Sequence, residues 1–495
     1  MKVVPFLLGL IATPQSPLQA HPGHAVRPVA PKAHSHRPVD PQKRRWLAGD
    51  HHVHSWFSVG VKPASNPSLP PELIKAGDAS NPITTNASMA ARHGLSWMVA
   101  TDHGGPNHSK LNRDEAYPEL LRARRMTPEL LQFWGMELDT PAAEHSSLIV
   151  PRSASERDVL FGIESRYNRR EPWPADPTRD EEAFMLEALR HMQTLPQPPL
   201  VIANHPSRSA SEVGRYGLVS PSELRAWNDT APEVAVGMEG APGHQATSLK
   251  PDGAIDPKGD RGGYSRAPTM GGFDQMTARL GGFWDSMLGE GRRWWITSTS
   301  DSHRHYTDGG SDFWPGEYSK TYVKAEHTYD DVLDGLRHGR VFVTLGDLVS
   351  EVEVTATTAE GARRAEIGGR LEVDPGSDVT IIIRVRDPAG KNFGGYSPDV
   401  SRIDLIQGDV QGPTADRGRD SNPTTRVIRS FSPGAWAQER EVLSMTYVLK
   451  DVQRSSYVRV RGTNGSEVEP QPDPPGEDPW SDLWFYANPV FITVR

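Results

Sequence analysis

The chain runs to 495 residues, with 63 acidic against 54 basic side chains, a formal charge of −9, no cysteine and 18 histidines. At roughly 100–200 residues per domain, that length predicts two or three domains with ample core; the acidic balance argues against a nucleic-acid partner, and no apolar run reaches the roughly 18 residues of a transmembrane segment. Without cysteine there is no disulfide framework, thiolate zinc site, iron–sulfur cluster or Cys nucleophile, so any bound metal must take His, Asp, Glu or water.

In chain order, Lys2, the apolar stretch 3–12 and Leu18-Gln19-Ala20 supply the charged, apolar and small-residue parts of a secretory signal. The expected signal peptide is 1–20, with cleavage after Ala20 or Ala25, and the expected location is a Gram-negative periplasm, where disulfides are allowed but not required. Residues 21–45 are rich in Pro and His, lack an apolar period and end in Lys43-Arg44-Arg45, the composition of a disordered leader. From 46 to 346 short apolar runs (46–54, 96–102, 131–139, 146–150, 199–205, 233–239, 293–300, 320–325) alternate with helical patterns (85–93, 114–125, 181–194, 221–227, 274–288, 329–338). That alternation predicts an α/β fold on a parallel sheet, open or closed into a barrel. Long Pro/Gly-rich loops are expected at 56–83, 152–179 and 240–272. After Gly346 six β-rich runs with no helical period predict a C-terminal all-β sandwich over 347–495.

The densest chemistry is Gly49-Asp50-His51-His52-Val53-His54 at the end of the first predicted strand. Side chains alternate along a strand, so Asp50, His52 and His54 share one face and His51 points away. Carboxylates and imidazoles recur at later strand ends: Asp102-His103, Glu137, His145, His205 and Asp301-Ser302-His303. In a β/α barrel such positions converge on the C-terminal face, where active sites are built. Four histidines fall in the leader; His93, His108, His191, His244, His305, His327 and His338 fall on helices or loops, with His108 and His305 kept as groups that could face substrate or brace a ligand.

Taken in order over 46–345, these motifs resemble those of the PHP (polymerase and histidinol phosphatase) family, metal-dependent phosphoesterases on a distorted seven-stranded β/α barrel. The segment Gly339-Arg340-Val341-Phe342 and the later Trp484-Phe485-Tyr486-Ala487-Asn488-Pro489 are similar to the exported branch that includes carbaryl hydrolases. The resemblance implies that His52, His54, Glu137 and Asp301 hold a first metal. Glu137, as a bridge, would hold a second with His145 and His205, and His103 and His303 would contribute to a third. Family members often carry an Asp or His five or six residues after the second His of HxH, where this chain has Val59 and Gly60. Two ions are therefore expected, and a third is left open.

With nitrogen and oxygen donors only, Zn, Mn, Fe and Co all suit the site. The expected reaction is attack of a metal-bridging hydroxide on phosphorus. His303 or a metal-bound water would protonate the leaving group, and Asp50 and Asp102 would orient imidazoles. For a small-molecule phosphate ester the predicted contacts are Arg208, Arg304, His305 and Trp56. Trp56-Phe57, Tyr306 and Phe313-Trp314 beside the motifs favour a substrate carrying organic groups, so small alkyl or aryl phosphodiesters are expected first and phosphomonoesters next, with carbamates or carboxylic esters also open. A non-catalytic envelope protein binding metal or carbohydrate is the reading from another class, and the β region points to no particular partner or oligomeric state.

Overall fold

Strand β1 (Arg45–Val53) buries its last seven residues without alternation, the mark of a strand covered on both faces. It sits inside a large mixed sheet. The computed structural model describes residues 40–495 except 244, 263, 265, 359 and 360, so the expected signal peptide, nearly all of the leader and His244 lie outside the described residues. The last leader residues are part of the fold: Arg44 reaches Asp331 through Nε at 3.0 Å and Nη2 at 2.8 Å.

A small hairpin follows, β2 (Gly60–Lys62) with β3 (Glu72–Ile74). Helix α1 (Ile83–Arg92) buries Ile83, Ala87 and Ala90 along one stripe and leads to β4 (Trp97–Ala100). Next come α2 (His108–Leu111), a π-helical turn over Asn112–Ala116, α3 (Tyr117–Met126), β5 (Leu131–Asp139), β6 (His145–Val150), α4 (Glu156–Tyr167), α5 (Glu182–Gln193), β7 (Leu200–Ala203), α6 (Pro221–Thr230) and β8 (Ala235–Ala241). Helices α7 (Gln275–Ala278) and α8 (Phe283–Gly289) precede β9 (Trp295–Ser298) and β10 (Ser319–Ala325). Helix α9 (Tyr329–Arg337), capped by Thr328 on the Asp331 amide, precedes β11 (Val341–Leu345). Among the described residues no helix is long and apolar enough to cross a membrane.

The fold is mixed α/β, and its sheet is not uniformly parallel. The run order is β10-β1-β4-β5-β6-β7-β8-β9, with β6 antiparallel to both neighbours and β10 antiparallel to β1. The reason is connection length. Only residues 140–144 join β5 to β6, far too few for a parallel crossover. The 152–179 stretch expected as a loop contains α4, whose Leu160, Ile163, Glu164 and Tyr167 are buried at helical spacing.

After Gly346 the described chain is β throughout. Its strands are β12 (Glu351–Thr358), β13 (Arg364–Glu366), β14 (Arg370–Val373), β15 (Ser377–Arg386), β16 (Arg402–Asp409), β17 (Arg426–Phe431), β18 (Ala437–Glu439), β19 (Val442–Val452), β20 (Ser456–Thr463), β21 (Trp484–Ala487) and β22 (Val490–Val494). Five form a separate antiparallel sheet in the order β13-β12-β15-β19-β18. The others extend the large sheet, because β21 pairs with β11 through Val343 and Tyr486. The Asn488 side chain donates to the Ile296 carbonyl at 3.3 Å and accepts from its amide at 3.0 Å, tying the C-terminal segment to β9.

Candidate metal centre

Six segments deliver the predicted ligands to one end of the sheet. The C-terminal ends of β1, β4, β7 and β9 lead into His54, His103, His205 and the Asp301–His303 stretch, and Glu137 lies near the end of β5. His145 opens its strand rather than closing it. It joins the others because β6 runs antiparallel and pairs Asp139 with His145.

The donor atoms lie close together. His52 Nε2 is 2.9 Å from His54 Nε2, 3.0 Å from Glu137 Oε1 and 3.1 Å from Asp301 Oδ1. His54 Nε2 is 3.0 Å from Asp301 Oδ1, and both His145 Nδ1 and His205 Nε2 are 3.1 Å from Glu137 Oε1. Two ligands about 2.0–2.2 Å from a shared ion, at angles between roughly 90° and 109°, lie about 3.0–3.5 Å apart. The observed spacings match that of a coordination shell.

Hydrogen bonding behind the rings supports the same fit. His52 Nδ1 faces the Glu239 carboxylate at 2.7 Å, which places a proton on that nitrogen and turns the Nε2 lone pair toward Glu137 and Asp301. Ser58 Oγ donates to Asp102 at 2.9 Å and so accepts from His54 Nδ1 at 2.8 Å, leaving His54 Nε2 as a lone pair too. A lone pair facing a carboxylate needs a cation between them. Although burial opposes charging His52, the carboxylates of Asp301, Glu137 and Glu239 push its pKa well above the ordinary value, expressing the same demand for positive charge. Burial also opposes charging His145, but Glu137 and Asp139 raise it to about 10. Burial and then Arg208 lower His205 to about 3, so its ring is neutral and free to ligate. These buried groups of His, Glu and Asp could therefore hold metal ions.

Two of the candidate ligands carry backbone strain. His205 has φ +28° and Asp301 φ +48°, left-handed conformations that cost non-glycine residues roughly 1–3 kcal/mol each. The close approach of Gly243 accommodates Asp301, since a Cβ there would lie 2.1 Å from the Asp301 Cβ.

Several expectations need correcting. Asp50 does not meet an imidazole: it accepts the His52 and Ser300 amides at 3.0 Å each, because the β1–β4 register shifts between Asp50 and Val53 and breaks the simple alternation. Asp102 acts on His54 only through Ser58. Trp56 turns toward α3, its Nε1 donating to Glu119 at 3.0 Å. His305 is buried, with Nδ1 on Thr307 at 2.6 Å, Nε2 on Glu317 at 2.9 Å and its ring stacked on Trp314. His303 Nδ1 donates to the Asp301 carbonyl at 2.8 Å and its Nε2 faces Asp78 Oδ2 at 3.4 Å, so the ring stands among the candidate ligands rather than as an isolated proton donor. His51 does point away, onto Ser147 and Thr297.

Two residues escaped the sequence reading. Asp78, in the loop after β3, has Oδ2 3.0 Å from His103 Nε2 and 3.4 Å from His303 Nε2. Burial opposes its ionisation, but the hydrogen bonds of His103 and His303 hold its carboxyl well below the usual range. Glu239, behind His52, is the second, and its place at the end of the run 233–239 was a signal of the kind that marked His205.

The centre opens into a polar cleft of about 480 Å³ whose walls include Asp78, His103, His145, His303, Arg208 and Arg304. No aromatic residue lines it among the described residues. Phe57 and Phe313 are buried in the core instead. Arg208 leans on Glu144 at 3.5 Å and feels the negative charge of Glu137 and Asp301. No family model matches this chain, and no curated protein matches it.

Proposed function

We propose that the chain is a metal-dependent phosphoric ester hydrolase of the PHP type. The observation that carries this reading is the convergence of six imidazoles with Glu137, Asp301 and Asp78 at the floor of a cleft flanked by Arg208 and Arg304. His52, His54, Glu137 and Asp301 would hold one ion, and Glu137, His145 and His205 a second. Asp78, His103 and His303, with His54 beside them, would hold a third. Divalent ions at such a centre lower the pKa of water and neutralise charge on a phosphoryl group.

The protein's own side chains define the rest. Glu239 and Ser58 fix the tautomers of His52 and His54, and Asn204 Nδ2 holds Glu137 Oε1 at 3.0 Å. Arg208 and Arg304 present guanidinium groups to the phosphoryl oxygens, a match in both charge and planar geometry. Because Trp56 and His305 are turned away and the cleft wall is polar, a terminal phosphoryl group fits better than the small aryl diester favoured by the sequence. The closed barrel belongs to the same proposal. Ser298 and Thr321 bond across β9 and β10, the Ser298 amide to Thr321 Oγ1 at 2.8 Å and Thr321 Oγ1 to the Ser298 carbonyl at 2.6 Å, joining the two ends of the strand series.

The test is a comparison of rates on p-nitrophenyl phosphate, bis(p-nitrophenyl) phosphate and an aryl methylcarbamate, before and after chelation. The proposal predicts the fastest turnover on the monoester, loss on chelation and recovery with added divalent metal. A faster diester restores the aryl diester reading, and a faster carbamate overturns the phosphoric ester reading.

A further inference from the structure

We infer that Glu239 is a positioning residue that couples the two halves of the metal centre; this rests on the metallohydrolase reading above. Glu239 is fully buried on β8 and lies outside the cleft wall. Its two oxygens serve different subsites. Oε1 accepts from His52 Nδ1 at 2.7 Å and from Thr299 Oγ1 at 2.8 Å, while Oε2 accepts the backbone N–H of His205 at 2.6 Å.

His52 groups with His54 and Glu137, His205 groups with Glu137 and His145, and the two rings also meet in a group with Asp301. Glu137 therefore connects the two groups from the cleft side, and Glu239 connects them from behind. The two arms of Glu239 act differently. On His52 it sets the tautomer and ring orientation, the usual task of a carboxylate behind a ligating imidazole. On His205 it holds a main-chain amide in a residue with φ +28°, a conformation that persists only where its surroundings over-determine it. A short, charge-assisted bond is suited to that task. Removing the carboxylate deletes no ligand, yet it loosens a ligand in each subsite at once. Loss of His145 should weaken only the second subsite.

The experiment titrates chelator-treated, full-length protein with Co²⁺, read by calorimetry and by visible absorption, for wild type, Glu239→Gln and His145→Ala. The Gln amide cannot accept from both partners, so Glu239→Gln should weaken the two ions of the His52 and His205 subsites by about 10–100-fold, the usual range for loss of a ligand's outer partner. It should also alter the Co²⁺ absorption bands while the melting temperature of the chelated protein stays near wild type. If Glu239→Gln does not fold, Glu239→Asp serves in its place: it keeps the charge on a shorter arm and should weaken both ions less severely. Wild-type affinity for both ions, or a loss confined to one, in whichever variant is measured would overturn the coupling. A wild-type protein that takes up no Co²⁺ would instead overturn the metallohydrolase reading on which it rests.

Discussion

Asp285→Ala removes the carboxylate that receives Arg459, whose Nε lies 2.8 Å and Nη2 2.7 Å away. Asp285 is on α8 and Arg459 on β20, and both are 1% exposed, so the pair fastens the C-terminal strands to the helical layer. Asp285 also accepts from Tyr457 Oη at 2.9 Å and from the Gly281 amide at 2.8 Å. In the variant the guanidinium stays buried, with the Trp284 ring 4.8 Å away and with no hydrogen-bond partner for Nη1 among the described residues. Removing one member of a buried pair costs about 3–5 kcal/mol, whereas replacing both by apolar residues is far milder because no charge remains stranded. Urea unfolding followed by tryptophan fluorescence should show that loss for Asp285→Ala, with at least half regained in Asp285→Leu/Arg459→Met. A single-variant cost below about 1 kcal/mol would refute the reasoning. So would a double variant less stable than the single one.

Burial, and then Glu182, push the Glu223 carboxyl from its ordinary 4.5 up to about 8. The folded protein therefore keeps a proton that the unfolded chain has released, and this group's contribution falls as pH rises from about 4.5 to 8, by at most about 1.4 kcal/mol per pH unit. Glu223→Gln should remove that slope and raise the melting temperature at pH 8 more than at pH 5; equal shifts at both would contradict the assignment. Arg208→Ala removes a charged donor worth about 1.5–3 kcal/mol and should lower kcat/KM on p-nitrophenyl phosphate by about 10–100-fold. An unchanged value would show that Arg208 does not touch the phosphoryl group. Trp56→Phe loses only the bond to Glu119 and should leave kcat/KM within about twofold of wild type, since a neutral hydrogen bond of about 0.5–1.5 kcal/mol is spent on stability there; a large rise in KM would put the indole back in the substrate site.

The convergence of the candidate ligands was legible in the sequence because strand ends impose it. His52 and His54 end one apolar run, His205 ends another, and Asp301 follows a third, and chain topology then gathers the ends. Glu239 obeyed the same rule and went unread. Asp78 could not be found this way: its loop has no period, and it reaches the site only because the surrounding chain is stitched down, with the Ala76 amide on the Trp56 carbonyl and the Ser80 amide on the His303 carbonyl. Helix α4 was hidden by Gly162 at its centre and by a polar residue on its buried face, since Glu164 takes a buried position and bonds His108 and Asn112 there. The aromatic residues misled for a physical reason. Trp56 and Phe313 adjoin the motifs in sequence, but their apolar surface is satisfied in packing beside the site rather than in the polar cleft.

The central claim is that this cluster holds catalytic divalent metal. Elemental analysis of the purified protein, with activity on p-nitrophenyl phosphate followed as ions are stripped and restored, tests it most directly. At least two ions per chain are expected, a third if Asp78 completes its subsite, with activity that rises and falls with occupancy. Fewer than two ions per chain, or full activity in the stripped protein, would contradict it.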